Sequence, residues 1–427
     1  MMTSLLQSLP TGVQGELLTS KSSSQSISYA DSQFEDIQNS RSLNATLRVI
    51  KDGKMALASS SKPNDEQTLL ENALAIVKFG TEVKHEFPGP ASYDELEIVD
   101  EAVTQVELPT MVDIAEDLVA TLINYDSRIQ VMAGVTREEQ TVSLANTAGF
   151  SGGYRKTEWS YYLGGQLVQG DDMLWLGEWV TGANLRDNYS DVKADVIHRF
   201  ERAKTIVPFN AGVYPVIFTP AQIGYLLEPF LASLNGKAIM RDISPWKGKR
   251  GAKLLDERIN IIDDGTLPFC ASSVPFDREG TPTRRNALIE KGVIKQEILD
   301  LQSGKALGLP STGNGTLTGP QPHHVILSPG TESVAATRKS IDRGLIVFDS
   351  MGAWAGNPYG GNVSGTISLG LLIENGEVVG RVKDCMFSIN SFKHFKDHLI
   401  ALSKETKEDG SSTFPYVTLD EVVISTQ

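Results

Sequence analysis

The apolar pattern changes character near residues 205–212, and that change sets what this 427-residue chain can build. Before it, strand-like and helix-like stretches alternate. After it, glycine and short apolar runs predominate, and helical periodicity becomes rare. The pattern predicts an α+β protein of two domains. A mixed α/β domain is expected over 1–208 and a β-rich, barrel-like domain over 209–427, because many short strands with regular turn signals favour closure or a sandwich.

Within the first half, residues 19–26 (Thr-Ser-Lys-Ser-Ser-Ser-Gln-Ser) are polar and low in complexity, and read as a mobile lead-in. Strands are expected over 26–36 and 42–50, with Asp52-Gly53 as a hairpin turn before a strand over 54–59. Apolar residues on one stripe predict helices over 64–79, with Asn64 as N-cap, and over 110–125; a third helix is expected over 190–203. Between the last two, 128–165 reads as successive strands and turns. Past the transition, a strand over 213–218 leads into Thr219-Pro220, which read as N-cap and first residue of a helix reaching about residue 234. A last helix is expected over 391–404, then a polar segment over 405–412 and a final strand over 417–425.

Composition narrows the function classes. With 39 Lys and Arg against 53 Asp and Glu, the formal charge is −14, a field that repels a phosphate backbone and argues against nucleic acid as a partner. No apolar run approaches the about eighteen residues of a membrane span. The N-terminus lacks the basic region and small-residue cleavage site of a signal peptide. Only two cysteines occur, Cys270 and Cys385, too few for a disulfide scaffold, so a reducing compartment, the cytoplasm, is expected.

Local chemistry is sparse. His394 and His398 stand four apart on the expected last helix, which puts both rings on one face at a spacing that zinc sites use. Lys393 and Lys396 beside them mark a solvated face instead. Ser311-Thr312-Gly313-Asn314 presents either a nest of backbone N–H groups or a glycine-rich turn between strands. His323 and His324 point to opposite sides of a strand, one buried and one exposed. No Gly-X-Ser-X-Gly elbow occurs, and Gly248-Lys249 is followed by Arg250, so there is no phosphate-binding loop. The residues alone reach no catalytic constellation.

Longer motifs carry a resemblance. Val274-Pro-Phe-Asp-Arg-Glu-Gly-Thr-Pro-Thr-Arg-Arg285 is followed by Leu309-Pro-Ser-Thr-Gly-Asn-Gly315 and Gly344-Leu-Ile-Val347. Then come Val363-Ser-Gly-Thr-Ile-Ser368 and Leu372-Ile-Glu-Asn-Gly-Glu-Val378. In this order and spacing they resemble the TldD/PmbA family, once named modulators of DNA gyrase. The resemblance implies a metalloprotease fold whose TldD-type members carry His-Glu-X-X-X-His on the helix after the boundary strand. The matching positions here are Glu228, Pro229 and Ser233, and the TldD-type cysteine ligand near the C-terminus has no counterpart. That departure is similar to the PmbA (TldE) branch, and against the family pattern this chain lacks most of the helix that usually opens it. It implies a non-catalytic subunit with no metal of its own, zinc-like metal being expected only in a TldD-type partner. The implied ligand is an unfolded peptide adding as a strand to a sheet edge, with Ser311, Thr312, Gly313 and Asn314 lining its groove. A homodimer, or a homo-oligomeric peptide-binding protein without catalysis, is one alternative. An independent hydrolase built on His394 and His398 is another.

Overall fold

The computed structural model describes residues 2–62, 65–170, 172–353 and 355–426. Seven strands form the first sheet: β1 (Gln14–Ala30), β2 (Gln33–Lys51), β3 (Lys54–Ser60), β4 (Thr81–Glu82), β5 (Gln130–Asn146), β6 (Ser151–Gln169) and β7 (Asp172–Gly182). They lie in the order β4-β3-β2-β1-β5-β6-β7, and every pairing is antiparallel.

Residues 19–26 are not a lead-in but lie inside β1. Ser22, for example, pairs with Ser42 on β2 and with Gln140 on β5. A strand with a neighbour on each side has its backbone donors and acceptors satisfied without burying its side chains, so serine and glutamine suffice. The strand expected over 26–36 is two strands, because Asp31 and Ser32 adopt φ of 49° and 64° and turn the chain. The Asp52-Gly53 turn forms as expected, with φ of 50° and 74°.

Helix Leu108–Tyr125 lays Met111, Ala115, Leu118, Val119 and Leu122 on the first sheet, at the spacing of one helical face. Helix Tyr189–Ala203 buries Val192, Val196 and Phe200 beside it. Helix Glu66–Ile76 starts after Asp65, and the expected cap Asn64 lies outside the described residues.

The second sheet has eleven strands: β8 (Gly212–Phe218), β9 (Ile261–Asp264), β10 (Arg285–Glu290), β11 (Val293–Ile294), β12 (Val325–Leu327), β13 (Arg343–Met351), β14 (Asn362–Glu374), β15 (Glu377–Val382), β16 (Cys385–Asn390), β17 (Leu399–Glu408) and β18 (Ser412–Thr426). Five of them, β18-β16-β14-β13-β8, close into a barrel because β18 also pairs with β8. The expectation of a barrel-like, β-rich second half holds. The last helix is shorter than expected, Ser391–Asp397, and the chain then enters β17. Pairing of β17 with β18 overrides a sequence whose spacing is helical. The polar stretch 405–412 is the end of that strand and its turn, where Asp409 accepts the N–H of Ser412 at 2.7 Å.

Candidate functional site

Helix Pro220–Leu234 follows β8 directly. Thr219 sits at the N-cap with Pro220 next, but the Thr219 hydroxyl donates to Phe348 O at 3.1 Å instead of capping the helix. Leu226, Leu227, Phe230 and Leu234 face the barrel core, and Phe230 stacks on Trp246 with ring centroids 5.5 Å apart. Glu228 is exposed at the rim of a cavity of about 420 Å³ lined also by Gly224, Tyr225, Ala353, Pro358 and Asn362. Partial loss of hydration there raises its carboxyl pKa. Pro229 is buried and its side chain offers no ligand atom, while Ser233 is fully buried and its hydroxyl donates to Pro229 O at 2.6 Å. One carboxylate facing outward and one hydroxyl facing inward cannot converge on a cation. These three residues do not fit a divalent metal.

The alternative metal pair, His394 and His398, closes the turn at the end of helix Ser391–Asp397. His394 is buried, with Nδ1 2.8 Å from Asn390 O and Nε2 3.2 Å from Glu421 O. His398 stands at the helix end, 3.4 Å from the Glu421 carboxylate, and the two ring centroids lie 5.4 Å apart. No group of three His, Cys, Asp or Glu among the described residues is placed to hold a metal.

Ser311–Asn314 lie in the interior, not along an open groove. Arg284 donates to Ser311 O, Thr312 Oγ1 donates to Asn314 Oδ1 at 2.6 Å, and Asn314 Nδ2 reaches Asp263 Oδ2 at 2.6 Å. The N–H of Gly313 is taken by Ser311 Oγ at 3.2 Å and that of Gly315 by Asp277 Oδ2 at 2.7 Å, so neither is left for an anion. Gly313 has φ of 78°, and a Cβ there would stand 2.5 Å from Pro282 O. The turn requires glycine. His323 beside it is half-buried rather than exposed, with Nε2 2.7 Å from Gly313 O.

Sequence reasoning missed the polar seam between the first sheet and the barrel half. On β2, Arg48 is buried; its Nε donates to Glu16 Oε1 of β1 at 2.8 Å, and its Nη1 donates to Glu279 Oε1 at 3.1 Å. Glu279 Oε2 accepts the N–H of Leu301 at 2.8 Å. Beside it, Asp277 is buried and accepts the N–H groups of Glu279, Thr281 and Gly315 at 2.7–2.9 Å. Burial, together with the charge of Glu279, still pushes its carboxyl up to about 8. Burial likewise takes Glu16 up to about 7 against the pull of Arg48. Lys156 of β6 donates to Ala271 O and, at 3.0 Å, to Ser273 O, with burial lowering its ammonium pKa. A cleft of about 360 Å³ opens there, lined by Gln140, Tyr154 and Lys156 on one side and Asp277, Arg278 and His323 on the other. Two of the motif acids, Asp277 and Glu279, thus build the seam. Glu279 is 231 residues from Arg48, and no local signal links them.

A family model described as the PmbA/TldA metallopeptidase C-terminal domain matches residues 211–426, and one described as PmbA/TldA metallopeptidase domain 1 matches residues 15–78. The uncharacterized protein MJ0231 of Methanocaldococcus jannaschii is 28% identical over 397 residues, 90% of this chain and 91% of that protein. A metalloprotease TldD homolog of Buchnera aphidicola is 27% identical over 250 residues, 55% of this chain and 47% of that protein. Among solved structures, the Thermotoga maritima protein TM0727 superimposes with a TM-score of 0.89 at 22% identity, covering 97% of this chain and 96% of that one. TldE from Thermococcus kodakarensis gives 0.87 at 22% identity, covering 96% of each chain. Both likenesses show the fold.

Proposed function

The chain belongs to the PmbA/TldD metallopeptidase family, and we propose that it acts there as the non-catalytic subunit of a TldD-type metalloprotease complex that degrades flexible peptides. One observation carries this reading. Where TldD-type chains are expected to hold two imidazole ligands and a general base on one helix, this helix offers Glu228, Pro229 and Ser233, which face different ways. Metal-assisted hydrolysis needs converging ligands with an open position and a base within reach of the bound water. In this reading a TldD-type partner holds the metal, zinc-like in character, and this chain supplies walls and a docking surface.

The first sheet supports a peptide-binding role. Along β2, β3 pairs only with residues 45–51, so among the described residues, 33–44 of β2 run on as an unpaired edge. An extended peptide can add to such an edge through main-chain hydrogen bonds. This edge suits a peptide better than the buried turn at Ser311–Asn314. A cytoplasmic site of action is consistent with two unpaired, buried cysteines.

The deciding experiment compares hydrolysis of an unstructured peptide by this chain, by a TldD-type protein, and by their mixture, with metal content determined on each. Turnover that needs the mixture, with metal carried by the partner, is the expected result. Chelator-sensitive turnover by this chain alone would overturn the proposal. Peptide binding that is indifferent to the partner would favour a homo-oligomeric binding protein.

A further inference from the structure

The barrel half brings together a cysteine and a histidine that lie 54 residues apart. Cys270 Sγ is 3.0 Å from His324 Nδ1, and Ser272 Oγ stands 3.3 Å from each of these atoms. On the far side of the imidazole, Nε2 lies 2.8 Å from Thr413 Oγ1. The ring is fully buried, and the His324 N–H donates to Asp263 Oδ1 at 3.1 Å just before β12 begins, so its orientation is fixed from both ends.

The surroundings favour charge separation within the pair. Burial works to raise the Cys270 thiol, but the hydrogen bonds from His324 and Ser272 outweigh it and leave the thiol below its ordinary value. Burial works to lower the imidazole, and the bond to Cys270 outweighs that in turn, with Glu408 and Asp409 adding to the effect. Lys156 brings a further positive charge within electrostatic reach of the sulfur. Cys385 provides the contrast within the same chain. Burial, with Asp384 nearby, pushes its thiol up to about 11, and the thiol donates to Lys383 O at 3.1 Å.

The seam cleft is lined by the neighbours of Cys270, not by its sulfur. Cys270 is only 3% exposed, but Ala271 and Ser272 are half-buried and line the cleft of about 360 Å³. The same segment ties the two halves together: Phe269 N donates to Glu97 O at 2.6 Å, Ala183 N donates to Phe269 O at 2.9 Å, and Lys156 holds Ser273 O.

We propose that Cys270 and His324 form a thiolate–imidazolium pair, a site of covalent modification by small hydroperoxides that enter through the cleft between the first sheet and the barrel half. The Cys270 sulfur attacks one peroxide oxygen, an S–O bond forms and the O–O bond breaks. The departing alkoxide or hydroxide takes the proton from His324 Nδ1. Cysteine is oxidised by two electrons to the sulfenic acid, the hydroperoxide is reduced to an alcohol or water, and the imidazole is left neutral. The product sits on the segment that joins barrel to sheet.

The test uses the intact chain with hydrogen peroxide and dimedone, which traps sulfenic acid, followed by peptide mass spectrometry. A parallel series measures iodoacetamide labelling against pH. Cys270 is expected to be trapped and alkylated in the native protein while Cys385 reacts only after denaturation. His324→Gln should slow Cys270 labelling at neutral pH by about tenfold or more, the thiolate fraction lost when a thiol pKa rises by one unit. Labelling of Cys385 should not change. If His324→Gln fails to fold, the wild-type pH profile decides. A midpoint below the ordinary thiol value of about 8.5 supports the pair, and one at or above it overturns the pair. Native Cys270 as inert as Cys385 toward both reagents would also overturn it.

Discussion

Arg48 holds two carboxylates from different parts of the chain, Glu16 on the adjacent strand and Glu279 from the barrel half. Replacing it with methionine would leave both acids buried without their cation. A broken buried pair costs about 3–5 kcal/mol, because the remaining charge keeps its desolvation penalty. Denaturant unfolding of Arg48→Met should show a loss of that size; a change under about 1 kcal/mol, the usual worth of an exposed pair, would mean the cluster is solvated. The same acids set a pH dependence. Burial takes Glu16 to about 7 and Asp277 to about 8 in the folded chain, against about 4 when unfolded. Between those values the folded chain holds protons that the unfolded chain has released, so this contribution is complete below about pH 4 and is lost as pH rises through about 8. Unfolding free energies measured from pH 5 to 8.5 should therefore fall with pH. Glu16→Gln should flatten the part of that slope below pH 7, and an unchanged slope would remove Glu16 from the account.

At the scale of elements, the long ribbon β1–β2 tests how strands with polar side chains persist. Lys51 pairs with Lys54 across the two-residue Asp52-Gly53 turn, so the backbone N–H and C=O groups of Lys51 face β3. Alternation then turns those of Asn39 outward at the unpaired edge and those of Gln38 toward Ser26 of β1. Proline removes the N–H, and sheets tolerate it where that group faces solvent. Gln38→Pro should cost about 2 kcal/mol more than Asn39→Pro, read by thermal unfolding; equal costs would mean that the edge is paired in solution. This ribbon also shows where sequence reading stops. Serine-rich residues 19–26 carry no apolar alternation, and their order comes from ladders on both sides, which only the fold supplies. The stretch 391–404 carries helical spacing, yet β18 recruits its second half as β17. The helix Leu108–Tyr125 and the Thr219-Pro220 helix start were legible because each buries a stripe set by its own residues. Of the candidate site, the positions Glu228, Pro229 and Ser233 were legible only through the motif resemblance. Its positive content, from Arg48–Glu279 to Cys270–His324, joins residues too far apart in sequence for any spacing to announce.

For the whole molecule, the two halves look separable in sequence, since one alternates helix with strand and the other builds a barrel. Their interiors are not separate. A single apolar cluster takes Val131, Trp159 and Tyr161 from the first sheet, Val196 and Phe200 from the helix Tyr189–Ala203, and Ile217, Ile346, Leu369, Leu371 and Ile373 from the barrel strands. Barrel residues on β8, β13 and β14 therefore point outward into the core of the other half. Cutting the chain there would expose that surface on both pieces at about 25 cal/mol per Å² of apolar area. The polar seam on the other side of the first sheet adds Arg48–Glu279 and Lys156–Ser273 across the same division. The intact chain is accordingly expected to melt in one calorimetric transition, and a fragment of residues 1–208 to remain unfolded or to aggregate. Cooperative units need not follow chain order or fold class; they follow contiguous buried surface. Two resolved transitions, or a soluble fragment with a sharp melt of its own, would show that the shared cluster is an interface between independently stable domains.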